Sequence, residues 1–295
     1  MGIFESAFNV LYIFIDHFAF LILAAIGLAI IFGMMGIINL AHGEFIMLGA
    51  YITTFCVLSG IPLPISILIA SLGVGLFGLI IDRLVIRHLY GRPLDSVVAT
   101  WGISLIMSQG MLILMGPTLQ GTSTPLGSFA VGEITYSTYR VVLFFISVAL
   151  LLFMYWIFMH TKFGLRSRAT MQNSEIARSL GTNTTKMYAV TFVIGSAFAG
   201  LAGGLYAPTT AISPSFGTGF LMESFVTVIV GGANPLIGTI MAGGSLGVVN
   251  SALSYLFGTF IGRLGLLVVA IIFIRVWPFG FSGLVEKRMM QVKAK

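Results

Sequence analysis

The chain has 295 residues, of which 58% are hydrophobic and only 8% charged, with a mean hydropathy of +1.06. A water-soluble domain carries about a quarter of its residues as charges, so this composition excludes one. The net charge of +6 marks no nucleic-acid partner, because twelve of the fifteen Lys and Arg residues are gathered in three short stretches between long apolar runs.

Those runs, free of charge over 18–43, 45–81, 96–132, 187–222 and 224–262, are long enough for helices of about 20 apolar residues to cross a bilayer. A membrane β-barrel would show alternating segments of about 10 residues. "FLILAAIGLAIIFGMMGI" and "VVLFFISVALLLFMYWIFM" do not alternate. The expected fold is an all-α polytopic membrane protein of about eight to nine transmembrane helices, some broken or re-entrant, forming a single transmembrane domain over 1–295. Near the N-terminus, Glu5 and Asp16 stand where a signal peptide would carry basic residues; the first span is expected to be retained.

Spans are expected near 10–35, 43–59 and 63–81. Arg83, Arg87 and Arg92 follow, then spans near 96–116 and 140–160 joined by a loop almost free of basic residues. Lys162, Arg166, Arg168, Arg178 and Lys186 form the second basic stretch, and Lys287, Arg288, Lys293 and Lys295 the third. The positive-inside rule places all three in the cytoplasm, with the N-terminus outside and the C-terminal tail, 286–295, cytoplasmic. Four crossings are then expected between 187 and 280. The lone Cys56 excludes an internal disulfide and any Cys-rich metal site.

Two stretches interrupt the apolar pattern. "INLAHGEF" (38–45) places Asn39, His42 and Glu44 at the edge of a span, where a charged group costs about 2.5–3.5 kcal/mol on insertion scales and is usually paired or functional. Glu44 could line the pathway or hold two helices through an arginine. His42 and Glu44 would diverge on a regular helix and converge only where it is broken. "VIVGGANPLIGTIMAGGSLG" (228–247) combines paired glycines with Pro235, a composition suited to irregular backbone beside a transported solute. Glu223, between two apolar runs, is a further candidate pathway residue. In "GSAFAGLAGG", Gly195, Ala199 and Gly203, and separately Gly200 and Gly204, lie four apart, the small-residue spacing that lets helices approach closely in lipid.

Apparent enzyme motifs fail on context. "GVGLFG" (73–78) matches a dinucleotide fingerprint but lies inside a membrane run rather than a βαβ unit. "GGSLG" around Ser245 matches a nucleophile elbow without the sheet that elbow requires, and pairing Ser245 with His42 or His160 as an intramembrane protease lacks a triad. His42-Gly43-Glu44 is half of a zinc-deaminase signature whose cysteine half is missing. No phosphate-binding G-x-x-x-x-G-K-[ST] occurs, so if transport is powered by ATP another subunit must bind the nucleotide.

The polar stretch 161–186 is expected to be cytoplasmic, with a short helix over 174–181 capped by Ser174 and ended by Gly181. It could be a solvated connector. However, Glu175, Ala177 and Gly181 also keep the E-x-A-x-x-x-G spacing of the loop with which ABC importer permeases dock on their ATPases.

With "GIINLAHGEFIMLGAY" (36–51), "TKFGLRSRATMQNSEIARSLGTN" (161–183), "AVTFVIGSAFAGLAGGLY" (189–206) and "VTVIVGGANPLIGTIMAGG" (226–244), nearly the whole chain resembles the permease subunits of ABC importers for branched-chain amino acids, urea and short amides. "RLVIRHLYGRPLDSVVATWGISLI" (83–106) is most similar to the urea-type branch. The long additional N-terminal segment of some urea-type members has no counterpart here, which keeps branched-chain amino acids and other amides as alternatives. The resemblance implies a transport subunit rather than an enzyme, in a bacterial inner membrane and surrounded by lipid. It implies as partners a second homologous permease, two ABC ATPases that carry the ATP and magnesium, and an external solute-binding protein, with no cofactor or metal on this chain. Ser174, Glu175, Ala177, Arg178 and Gly181 would form the coupling helix. Asn39, His42 and Glu44 would line the pathway or its gate. A stand-alone channel or secondary transporter is the competing class.

Overall fold

A computed structural model of the chain describes residues 3–232, 237–278 and 280–283. Pro235 and the 286–295 tail lie outside them. In chain order the elements are α1 (Ile3–Met35), α2 (His42–Leu58), α3 (Leu63–Leu84), α4 (Pro93–Met115), β1 (Ser128–Val131), β2 (Ile134–Ser137), α5 (Thr138–His160), α6 (Lys162–Gln172), α7 (Ser174–Ser179), α8 (Thr184–Tyr206), α9 (Phe216–Gly231), α10 (Ile237–Phe257) and α11 (Thr259–Val276). Seven of these helices are long and apolar enough to cross a membrane, while α2 and α9 are apolar but shorter. The chain is an all-α polytopic membrane protein. An antiparallel hairpin, β1–β2, lies between α4 and α5, where the sequence predicts only a loop. Gly132, at φ +63°, opens its two-residue turn, as the first turn position of such hairpins favours glycine.

Two compact units divide the chain. One comprises 26–123 and 153–222. Its centre is α8, whose small residues let neighbouring backbones touch it. A Cβ on Gly195 would meet the Ile31 side chain and the Gly27 carbonyl of α1; on Gly200, the side chain of Val74 and, at 2.9 Å, the Ala70 carbonyl of α3; on Gly203, the Ile46 carbonyl of α2; on Gly204, Thr53 Oγ1 at 2.6 Å. The spacing noted in the sequence therefore serves three partner helices. By contrast, only 6% of the spanning part of α4 is buried, so most of that helix faces lipid or another subunit.

The other unit comprises 1–25, 124–152 and 223–295. Here Tyr12 of α1 donates its hydroxyl to the Ser137 carbonyl (3.1 Å) and accepts from the Ser137 amide (3.0 Å). Asp16 pairs with Arg140 of α5. Leu21, Val230, Ala242, Leu246, Leu266 and Ala270 form its apolar core. Gly243 and Gly247 of α10 admit Ile22, Phe18 and Phe14 of α1.

Candidate functional site

Helix α1 stops at Gly36, whose φ of +64° turns the chain back, and residues 36–41 run without helical structure until α2 begins at His42. This irregular segment is not at the edge of the bundle. The His42 ring lies 3.1 Å from where a Cβ on Gly27 would stand, and Gly27 is eight residues before the end of α1, about 12 Å along its axis. Irregular backbone at such depth must be satisfied by protein, and α4 does this: Thr100 Oγ1, held 2.7 Å from the Ser96 carbonyl, accepts the Leu40 amide at 3.0 Å. Asn39 closes the turn, its Oδ1 accepting the Ala41 amide at 3.1 Å.

The start of α9 completes this region. A Cβ on Gly217 would collide with the Gly43 carbonyl and stand 3.0 Å from the Glu44 amide; a Cβ on Gly43 would meet Leu221 Cβ at 3.2 Å. Two short helices thus bring their positive N-terminal ends together at paired glycines. Asn39, His42 and Glu44 are all buried here. His42 and Glu44 do not converge, however: both belong to regular helix α2, with His42 against Gly27 and Glu44 accepting a hydrogen bond from Ser104 of α4. Two residues apart on a helix, they point to different sides. No arginine or lysine among the described residues pairs with Glu44. Within the second unit, Glu223 is buried and bonded to Arg263 (2.9 Å). Ser245 donates to the Ala242 carbonyl of its own helix (3.2 Å), and no metal-binding group of three or more His, Cys, Asp or Glu occurs among the described residues.

Thr100 and Ser104, together with the Gly43–Gly217 contact, were not anticipated from the sequence. The α4 residues had a legible signal, since Ser96, Thr100, Ser104 and Ser108 recur every four residues on one face of an otherwise apolar helix. The Gly43–Gly217 contact had none, because it joins residues 174 positions apart in the chain.

The short helix expected over 174–181 is present as α7 and is shorter, Ser174–Ser179. Ser174 is not its cap. Asn173 takes that role, its Oδ1 accepting the amides of Glu175 and Ile176 at 3.0 Å each. Asparagine and serine cap about equally well, and the residue just before the first helical amides wins. Gly181, at φ +87°, ends the turn as expected, with Thr182 N bonded to the Ala177 carbonyl (2.9 Å). Ala177 is buried, Arg178 bonds Thr184 at the start of α8 (3.1 Å), and Ile176 and Leu180 are 59% and 80% exposed. The preceding α6 reaches the end of α1, where Ser167 Oγ lies 3.0 Å from Met34 Sδ, two residues before Gly36. Asn173→Ala removes the cap and is expected to cost α7 about 1 kcal/mol. Faster amide hydrogen exchange at Glu175 and Ile176 checks this.

A family profile described as the branched-chain amino acid transport system / permease component matches residues 10–277. The chain is 28% identical to a probable branched-chain amino acid transport permease protein, LivH, of Methanocaldococcus jannaschii, over 92% of this chain and 91% of that protein. It is 29% identical to the high-affinity branched-chain amino acid transport system permease protein BraD of Pseudomonas aeruginosa, over 88% and 91%. A more partial likeness, 28% identity over 68% of this chain and 56% of the other, relates it to the autoinducer 2 import system permease protein LsrC of Escherichia coli. No solved structure matches it. The family profile covers nearly the whole chain, and the chain belongs to the family of permease components of branched-chain amino acid transport systems.

Proposed function

We propose that this chain is one permease subunit of an ATP-driven importer of branched-chain amino acids. The carrying observation is α7. A capped helical turn between α6 and α8 presents two apolar side chains, Ile176 and Leu180, outward while Arg178 and Ala177 tie it to the bundle. Exposed apolar residues beside cationic ones outside the spanning helices suit a groove on a partner protein. In this reading two ATPases supply that groove and hold the ATP and magnesium, and a second homologous permease packs beside this one. An external binding protein delivers the solute. The chain crosses the plasma membrane with its N-terminus outside and its C-terminus in the cytoplasm. Movement imposed on α7 passes through α6 to the end of α1 and the 36–41 segment, which is alternating access by rigid elements around a central break.

Branched-chain amino acids rank above urea as the solute. The relatives that align over about nine-tenths of the chain are named for amino acids, whereas the urea reading rests on the likeness of 83–106. Competition decides between them in cells expressing the complete importer. Uptake of labelled leucine is expected to be suppressed by excess valine and unaffected by excess urea. Saturable urea uptake without leucine uptake would reverse the order.

A further inference from the structure

Carboxylates elsewhere in the apolar helices have partners within the chain. Asp16 pairs with Arg140, Glu223 with Arg263, and Asp82 accepts the Tyr90 hydroxyl at 2.6 Å. Glu44 differs. It is 1% exposed, its polar contacts are the Ser104 hydroxyl and its own backbone amide, and Oε2 has no hydrogen-bond partner. The fully buried Asn39 likewise leaves Nδ2 without a partner. Buried polar atoms are almost always satisfied in a folded chain. An unmatched acceptor and an unmatched donor therefore stand within five residues of each other, at the break where α2 and α9 begin.

Glu44 stands where two helices begin. The first turn of α2 carries it, the first turn of α9 abuts it through Gly217, and helix N-termini stabilise negative charge. Among the described residues no lysine or arginine pairs with Glu44. Phe216, next to Gly217 in the chain, packs against Phe220 with ring centroids 5.0 Å apart, and Tyr206 meets Phe220 at 5.5 Å.

We infer that Glu44 is the counter-charge that receives the ammonium group of an amino acid passing through the permease, with the Asn39 amide donating to its carboxylate and the α9 aromatic residues facing its side chain. This assignment rests on the amino-acid reading above. Urea, which carries no charge, would make no such demand on Glu44.

The test uses the complete importer with its binding protein, reconstituted in vesicles. Glu44→Gln keeps the shape and removes the charge. It is expected to assemble and to lower leucine uptake at least tenfold, while Glu44→Asp retains a substantial part of it. Leucine uptake by Glu44→Gln within twofold of the unaltered importer overturns the inference. If Glu44→Gln fails to assemble, modification of Glu44 by a hydrophobic carbodiimide is measured in the unaltered importer. Leucine is expected to slow it and 4-methylpentanoate, which lacks the ammonium, is not. Equal protection by both, or by neither, overturns the inference. An unaltered importer that carries urea and no leucine removes the amino-acid reading itself, an outcome separate from any defect confined to the variant.

Discussion

Gly203→Val is expected to prevent the permease from folding to a stable bundle. The glycine lies where α8 crosses α2, and a Cβ there would fall on the Ile46 carbonyl and stand 2.9 Å from the Ala50 amide. Both obstacles are backbone, so no side-chain rotation relieves them. Overpacking a close contact costs about 1–3 kcal/mol, and a backbone-to-backbone contact belongs at the upper end of that range. With total stabilities of about 5–15 kcal/mol, such a loss is large, and α2 also carries Glu44. Gly102→Val on α4 is the control, since nothing lies within 4 Å of its added Cβ. Recovery of folded protein and resistance to limited proteolysis check the pair: Gly203→Val should lose both, and Gly102→Val should match the unaltered chain.

The second large effect is expected at α7. Leu180→Asp alters a side chain that is 80% exposed, so the permease fold should be unaffected. If α7 docks in an ATPase groove, burying a carboxylate in place of leucine there removes an apolar anchor and adds an unpaired charge. Anchor residues of this kind are worth about 2–4 kcal/mol, or roughly 30- to 1000-fold in affinity. The ATPases should therefore fail to co-purify with the variant, and solute uptake should fall to background. Normal co-purification and uptake would show that α7 is a solvated connector.

The helices were largely legible because an apolar run of the right length has few alternatives in a bilayer. The expected spans at 63–81, 96–116 and 140–160 lie within or close to α3, α4 and α5. The turn at Gly181 was also legible, because a glycine with φ +87° follows a short amphipathic run. The hairpin β1–β2 was missed since four-residue strands in a polar loop have no hydrophobic period to betray them. Asn173, not the expected Ser174, caps α7, because two capping residues stand side by side and local sequence does not choose between them. The break between α1 and α2 was anticipated from "INLAHGEF", but not what satisfies it. Thr100 and Ser104 come from a helix two elements later, and sequence spacing says nothing of which faces meet. Glu44 and Glu223 looked alike as isolated acids. Only the fold separates Glu223, answered by Arg263, from Glu44, which no described lysine or arginine answers.

The most direct measurement is accumulation of labelled leucine in vesicles holding this chain with its partner permease and ATPases, supplied with binding protein and with ATP on the ATPase side. The expected result is accumulation above the external concentration, abolished when the ATPases are inactivated. Equilibration of solute that continues with inactive ATPases would contradict the account and identify a channel.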